Sequence, residues 1–195
     1  MQLEKINNHT ALCLLERGIK RAFDVILSGA GLVVFSPTVL AVSIAIKLDS
    51  RGPIFIRVTR YDYENQIVQV LKFRSRKADD TGSHVTRAGH ILGRTGINEL
   101  LQLFNVLRGE MSIVGPHLNA TRQNILQDKI RRLSRRQVKP GIIGWAQVHG
   151  YGGETGSTEY MKQRIEYDLY YIENWSLLLD VKIIFATIVA KGSYV

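Results

Sequence analysis

Residues 25–46 read VILSGAGLVVFSPTVLAVSIAI, 22 positions without one charged side chain. As an α-helix rising roughly 1.5 Å per residue, such a run just reaches across a hydrocarbon core of about 30 Å. Its middle carries Ser36-Pro37. Proline removes a backbone donor and disfavours helical geometry at the residue before it, so a bend or break is expected there. Lys20 and Arg21 precede the run, and Lys47 and Arg51 follow it. Cationic flanks favour the cytoplasmic side, and a helix that dips in, turns at Pro37 and returns places both flanks there. A re-entrant helix over about residues 22–49 is therefore favoured over a straight span or a buried core helix. A secretory signal fits poorly, because the run is long for an h-region and leads into Lys47 rather than a polar cleavage region. Asp24, at the entry of the run, reads as a helix cap or as a partner of Arg21.

The 195 residues that contain this run have room for one domain. With 45% hydrophobic and 22% charged residues, the chain is neither disordered nor a coiled coil. Its formal charge of +9 calls for a polyanionic neighbour: nucleic acid, anionic lipid or a phosphorylated substrate. The apolar run argues against nucleic acid. A single cysteine, Cys13, permits no internal disulfide and no cysteine metal cage, and reads as a plain helix residue. His84, His90, His117 and His149 fall at spacings unlike a zinc motif, and neither a P-loop nor a dinucleotide fingerprint is present.

Downstream, residues 54–58 and 66–72 predict a small β-hairpin, followed by a polar loop over 76–90. Lys72 and Arg74 would then stand at a strand end, a geometry suited to phosphate oxygens. A helix is predicted over 97–107, stopped by Arg108-Gly109, and a short strand or turn over 112–116. Residues 122–139 hold seven cations against Asp128, with Ile125, Leu126, Ile130 and Leu133 as an apolar stripe. They read either as a basic amphipathic helix for an anionic membrane surface or as a solvated basic face. Residues 139–154 read as strand and loop, followed by helices over about 157–174 and 177–191. The last of these, apolar but carrying Asp180 and Lys182, suits a core or interface helix. Residues 1–19 read as an interfacial helix or a tail ahead of a domain over 20–195.

Four blocks make the chain recognisable: KFRS (72–75), NELLQLFNVLRGEMSIVGP (98–116), KPGIIGWAQV (139–148) and YDLYYIENWSLLLDVKII (167–184). In order, and behind the Ser-Pro-interrupted run, they closely resemble the bacterial sugar transferase family, the monotopic phosphoglycosyl transferases, over about residues 18–193. The resemblance is strongest to members that prime exopolysaccharide synthesis by moving a hexose 1-phosphate from a UDP-sugar to undecaprenyl phosphate. It implies an α+β monotopic membrane protein with a Pro-broken re-entrant helix, a small β-sheet and amphipathic interfacial helices. It also implies the cytoplasmic face of the cell inner membrane, UDP-hexose and undecaprenyl phosphate as partners, and Mg²⁺ as cofactor; a homo-oligomer stays open.

In the family an Asp-Glu pair heads the site helix. The Asp attacks the β-phosphate, releasing UMP and leaving a phosphosugar on its carboxylate for the polyprenyl phosphate to displace, while the Glu holds Mg²⁺. Here Glu99 stands at the metal position, but Asn98 stands at that of the nucleophile, and an amide has neither the charge nor the nucleophilicity for the step. Gly93 replaces the usual Arg, Leu101 a Pro, and His117-Leu118 an Arg-Pro pair. The resemblance leaves Lys72, Arg74, Arg94, Arg108, Pro116 and His117 as substrate-binding candidates, His117 donating to phosphate, more strongly if protonated. Asn98 fits a protein with another nucleophile, a fold kept for lipid or partner binding in the same pathway, or an altered copy of an Asp gene.

Overall fold

The computed structural model describes residues 2–62, 66–79, 82–118, 138–152 and 158–192. One helix, α1 (Gln2–Asp49), carries the whole apolar run, with Pro37 inside it. It passes through Pro37 without interruption, so the expected break is not seen in the helix assignment. A local reason is visible: Val33 carbonyl, which an amide at position 37 would have taken, accepts from Ser36 Oγ at 2.8 Å. Residues 2–19 are helical and continuous with the run.

The run is apolar and largely uncovered. In the most apolar 18-residue window of α1 only 6% is buried, which removes the buried-core-helix alternative, and the helix is long and apolar enough to cross a membrane. Val33, Val34 and Phe35 are exposed, whereas Asp24 and Ser28 on one side and Ile46 on the other are buried against the body.

Strands β1 (Phe55–Tyr61) and β2 (Ile67–Phe73) form the expected antiparallel hairpin, with Phe55 opposite Phe73 and Arg60 opposite Val68. A second hairpin, β3 (Arg76–Asp79) and β4 (Gly82–Val85), and helix α2 (Arg87–Thr95) occupy the stretch read as loop. α2 starts where Thr86 Oγ1 accepts from Gly89 N–H and Asp49 carboxylate accepts from Ala88 N–H, two donors of the first turn. A 3-10 turn (Ile97–Leu101) leads into α3 (Gln102–Arg108), closed by Gly109 at φ +82° as the Arg-Gly stop predicts.

β5 (Ser112–Val114) pairs in parallel with β6 (Gly141–Ile143), and the short α4 (Trp145–Val148) follows. α4 was not expected from the sequence. Gly115 and Gly141 permit the close passage: a Cβ on Gly141 would stand 2.1 Å from Gly115 N. Helices α5 (Thr158–Glu173) and α6 (Leu177–Gly192) match the two predicted C-terminal helices. The basic stretch 122–137 lies outside the described residues.

The fold is thus α+β, with three separate two-stranded pairs among the described residues rather than one small mixed sheet. Asn105 of α3 explains why β2 takes no third strand. Its side chain donates to Gln69 carbonyl and accepts from Leu71 N–H, the two outward groups a further strand would have used.

A buried polar network ties α1 to this body. Asp24, 3% exposed, accepts from Ser112 Oγ and Ile113 N–H and lies 3.6 Å from Lys20 Nζ. The capping reading of Asp24 fails because the helix begins 22 residues earlier, and its cationic partner is Lys20 rather than Arg21. Lys20 also donates to Asp180 at 2.7 Å, and Asp180 accepts from Tyr171 Oη and Trp175 Nε1. Burial and the Asp180 carboxylate hold the Tyr171 phenol well above its ordinary range, so it remains a donor. Arg21 instead donates to Val106 and Leu107 carbonyls, capping the C-terminal end of α3.

Candidate active site

Period-two geometry places Ile56, Val58 and Arg60 of β1 on one face of the hairpin with Val68, Val70 and Lys72 of β2. That face forms one wall of a cavity of about 130 Å³, lined by Arg60, Val70 and Lys72, by Glu99 and Gln102 at the head of the site helix, and by His117. Leu118, Gly141 and Gly152 complete it. Among the described residues, two cations and one carboxylate thus face a common space. Short-range attraction there suits a ligand with several phosphate oxygens and a compensating cation.

Glu99 sits in the first turn of the 3-10 segment, its N–H donating to Gly96 carbonyl, and Gly96 is held at φ +67° between α2 and that turn. Asn98 precedes it on the same turn and is not among the cavity-lining residues; its Oδ1 is buried and has no hydrogen-bond partner among the described residues. Leu101, where the family pattern has Pro, is wholly buried in a core cluster with Phe73, Ile46 and Leu92.

His117 does not carry the positive charge considered for it. Burial first, then Arg164, Arg60 and Lys72, hold its imidazole down at about 3, so it is neutral at physiological pH. Gln147 Nε2 lies 3.2 Å from His117 Nδ1. The amide nitrogen can only donate, so Nδ1 accepts and the ring proton resides on Nε2. His117 therefore offers phosphate a neutral donor.

The other sequence candidates separate. Lys72 lines the cavity. Arg74 is buried with its guanidinium donating to Ser50 carbonyl, Ser50 Oγ and Arg51 carbonyl, where it closes the end of α1. Gly52, at φ +128°, makes room for it, since a Cβ there would stand 1.9 Å from Arg74 Nη1. Arg94 lies on α2, and Arg108, which ends α3, does not line the cavity. Pro116 is buried beside it, its carbonyl accepting from Gly141 N–H. Arg60 and Gln102 are the lining side chains that the sequence reading missed. Continuing the β1 alternation two residues past Val58 would have found Arg60.

The site thus stands on an α+β body that bears one largely uncovered apolar helix, in a cavity that joins a carboxylate to two cations. A sequence profile of the bacterial sugar transferase family matches residues 15–192, and the chain belongs to that family. Among its relatives, a UDP-glucose:undecaprenyl-phosphate glucose-1-phosphate transferase of Escherichia coli (strain K12) is 41% identical over 204 residues, covering 95% of this chain and 43% of that protein. An undecaprenyl-phosphate glucose phosphotransferase of Komagataeibacter xylinus is 43% identical over 185 residues, 87% of this chain and 35% of the relative. The exopolysaccharide production protein PSS of Rhizobium leguminosarum bv. phaseoli is 37% identical over 189 residues, 89% of this chain and 94% of the relative. The chain therefore spans less than half of the first two relatives and nearly all of the third.

Proposed function

We propose that the chain serves exopolysaccharide assembly at the cytoplasmic face of the inner membrane, moving a hexose 1-phosphate from a UDP-sugar to undecaprenyl phosphate at the Glu99 cavity. The observation that carries this reading is the meeting of Glu99 with Lys72 and Arg60 around one space at the head of a short helix. The pyrophosphate binds the two cations, His117 adds its neutral Nε2–H, and Gln102 closes the floor.

Glu99 fits Mg²⁺, because it is the one carboxylate lining the cavity among the described residues, and Mg²⁺ is commonly held by one or two carboxylates plus substrate phosphates. No group of three metal-ligating side chains exists among the described residues, which accords with a site completed by substrate. When bound, the ion neutralises charge that develops on the leaving phosphate.

Asn98 removes the covalent route through its own position. The step we propose is direct displacement: an oxygen of the lipid phosphate bonds to the β-phosphorus, the bond from that phosphorus to the bridging oxygen breaks, and UMP leaves with that oxygen. The apolar run supports seating at a membrane. Burial on both sides of an exposed Val33–Pro37 segment, with Ser36 satisfying the carbonyl that Pro37 frees, supports a re-entrant course with its apex there.

UMP release from UDP-glucose or UDP-galactose with polyprenyl phosphate and Mg²⁺ tests the reading. Slow release by the natural chain, its loss in Glu99→Gln and a rise of at least a hundredfold in Asn98→Asp are expected. A second reading, a non-catalytic lipid- or partner-binding member of the same pathway, is favoured by the buried, partnerless Asn98 Oδ1. Release by Asn98→Asp alone would establish it.

A further inference from the structure

A larger cavity, of about 310 Å³, lies away from Glu99 at the foot of the apolar run. Arg17, Lys20, Arg21 and Asp24 of α1 line it with Ser112, Val138, Lys139 and Trp175. Four of these side chains are cationic and one is anionic. Asp24 Oδ1 is already engaged by Ser112, Ile113 and Lys20, and Lys20 is shared with Asp180. Arg21 and Lys139 share one neighbourhood: Lys139 Nζ and Arg21 Nη2 lie 3.4 and 3.5 Å from the one point where a Cβ on Gly109 would stand, and the charge of Arg21 acts on Lys139.

Two cations brought together beside an apolar wall of Val138 and Trp175 are stable only when an anion or water screens them. Burial and Arg21 lower the affinity of Lys139 for its proton, with Asp24 opposing, which is the signature of a cation lacking full compensation. The surroundings then identify the anion. Ile19, Val25 and Ile26 on the same stretch of α1 are exposed, so the cavity sits where the helix passes from body to lipid. Trp175 is of the type enriched at membrane interfaces.

We infer that this cavity is a binding site for the phosphodiester of an anionic membrane phospholipid, held by Lys139, Arg21 and Arg17 with its glycerol against Val138 and Trp175. The site is separate from the sugar-transfer cavity, and the inference rests on the membrane seating proposed above. A zwitterionic lipid carries the same phosphate but adds a quaternary ammonium that the cations repel. A free phosphate lacks the glycerol and chains that reach the apolar wall.

The test uses the full chain in phosphatidylcholine nanodiscs and in detergent, with lipid retention counted by native mass spectrometry. Dioctanoyl phosphatidylglycerol should bind one per chain, at least tenfold more tightly than dioctanoyl phosphatidylcholine or inorganic phosphate. Lys139→Gln combined with Arg17→Gln should weaken it about tenfold with Tm unchanged; Lys20 and Arg21 are left alone because they hold the fold together. Equal retention of the three probes would overturn the proposal, as would unchanged binding in the double variant. Flotation with phosphatidylcholine vesicles separates the two readings: a chain that floats yet shows no preference loses only this site, whereas one that does not float loses the membrane seating and the site with it.

Discussion

Two clusters of charged side chains, built from the same residue types, are put to opposite uses. In the network of Lys20, Asp24, Ser112, Tyr171 and Asp180, donors and acceptors are matched inside the body, and its parts come from α1, β5, α5 and α6. Around Glu99, Arg60 and Lys72 the side chains line a space instead. A matched network fixes the apolar helix α1 to the body. A lined space can accept a polyanion and a metal. Charge in a sequence thus says little until partners are known, and substitution separates the two roles.

The largest effect is expected from Asp180→Ala. It removes the carboxylate that Lys20, Tyr171 and Trp175 share and leaves Lys20 with only Asp24 at 3.6 Å and the Val114 carbonyl, costing about 3 kcal/mol in thermal unfolding of the detergent-solubilised chain. A loss under about 1 kcal/mol would mean that the network is not what holds α1. Next comes Arg21→Met, which uncovers the terminal carbonyls of α3 and should cost about 2–3 kcal/mol by the same measurement.

His117 probes the other cluster through pH. Its folded-state value of about 3 lies below the ordinary 6.5, so the unfolded chain binds the extra proton between those values. The contribution of the neutral ring is complete above pH 6.5 and is lost as pH falls toward 3, about 2 kcal/mol being gone at pH 5. His117→Gln should flatten that part of the stability profile while leaving unfolding at pH 7.5 within about 1 kcal/mol; an unaltered slope would show that the ring is not held neutral. The smallest change is expected from Ser36→Ala, about 1 kcal/mol, because one carbonyl loses one hydrogen bond. It should be seen as a small fall in Tm of the detergent-solubilised chain.

Much of this was readable from periodicity. The apolar run, the first hairpin, the site helix with its Gly109 stop and the two C-terminal helices carry strong local patterns, and the structure has them. The second hairpin and α2 were hidden because RKADDTGSHVTRAGHILGR lacks an apolar repeat; α2 is set by Thr86 and by Asp49 from another element. Asn105 reads as one polar residue in an apolar helix, and its splice to β2 is set by residues 34 and 36 positions away. At the site, Glu99 and Lys72 were legible through family resemblance. The diversion of Arg74 to Ser50 and Arg51 and the neutrality of His117 follow from tertiary neighbours that no spacing encodes.

α1 is fastened before and after its apolar stretch: by Lys20, Arg21 and Asp24 on one side, and by Asp49 and the Ser50–Arg74 clasp on the other. A helix pinned at one end answers a thicker or thinner bilayer by tilting on its own. Pinned at both, it must carry the whole body with it. Under the function proposed above, the height of the Glu99 cavity over the acyl chains then becomes a fixed dimension, like the stop on a depth gauge, set by the protein rather than by the membrane of the moment.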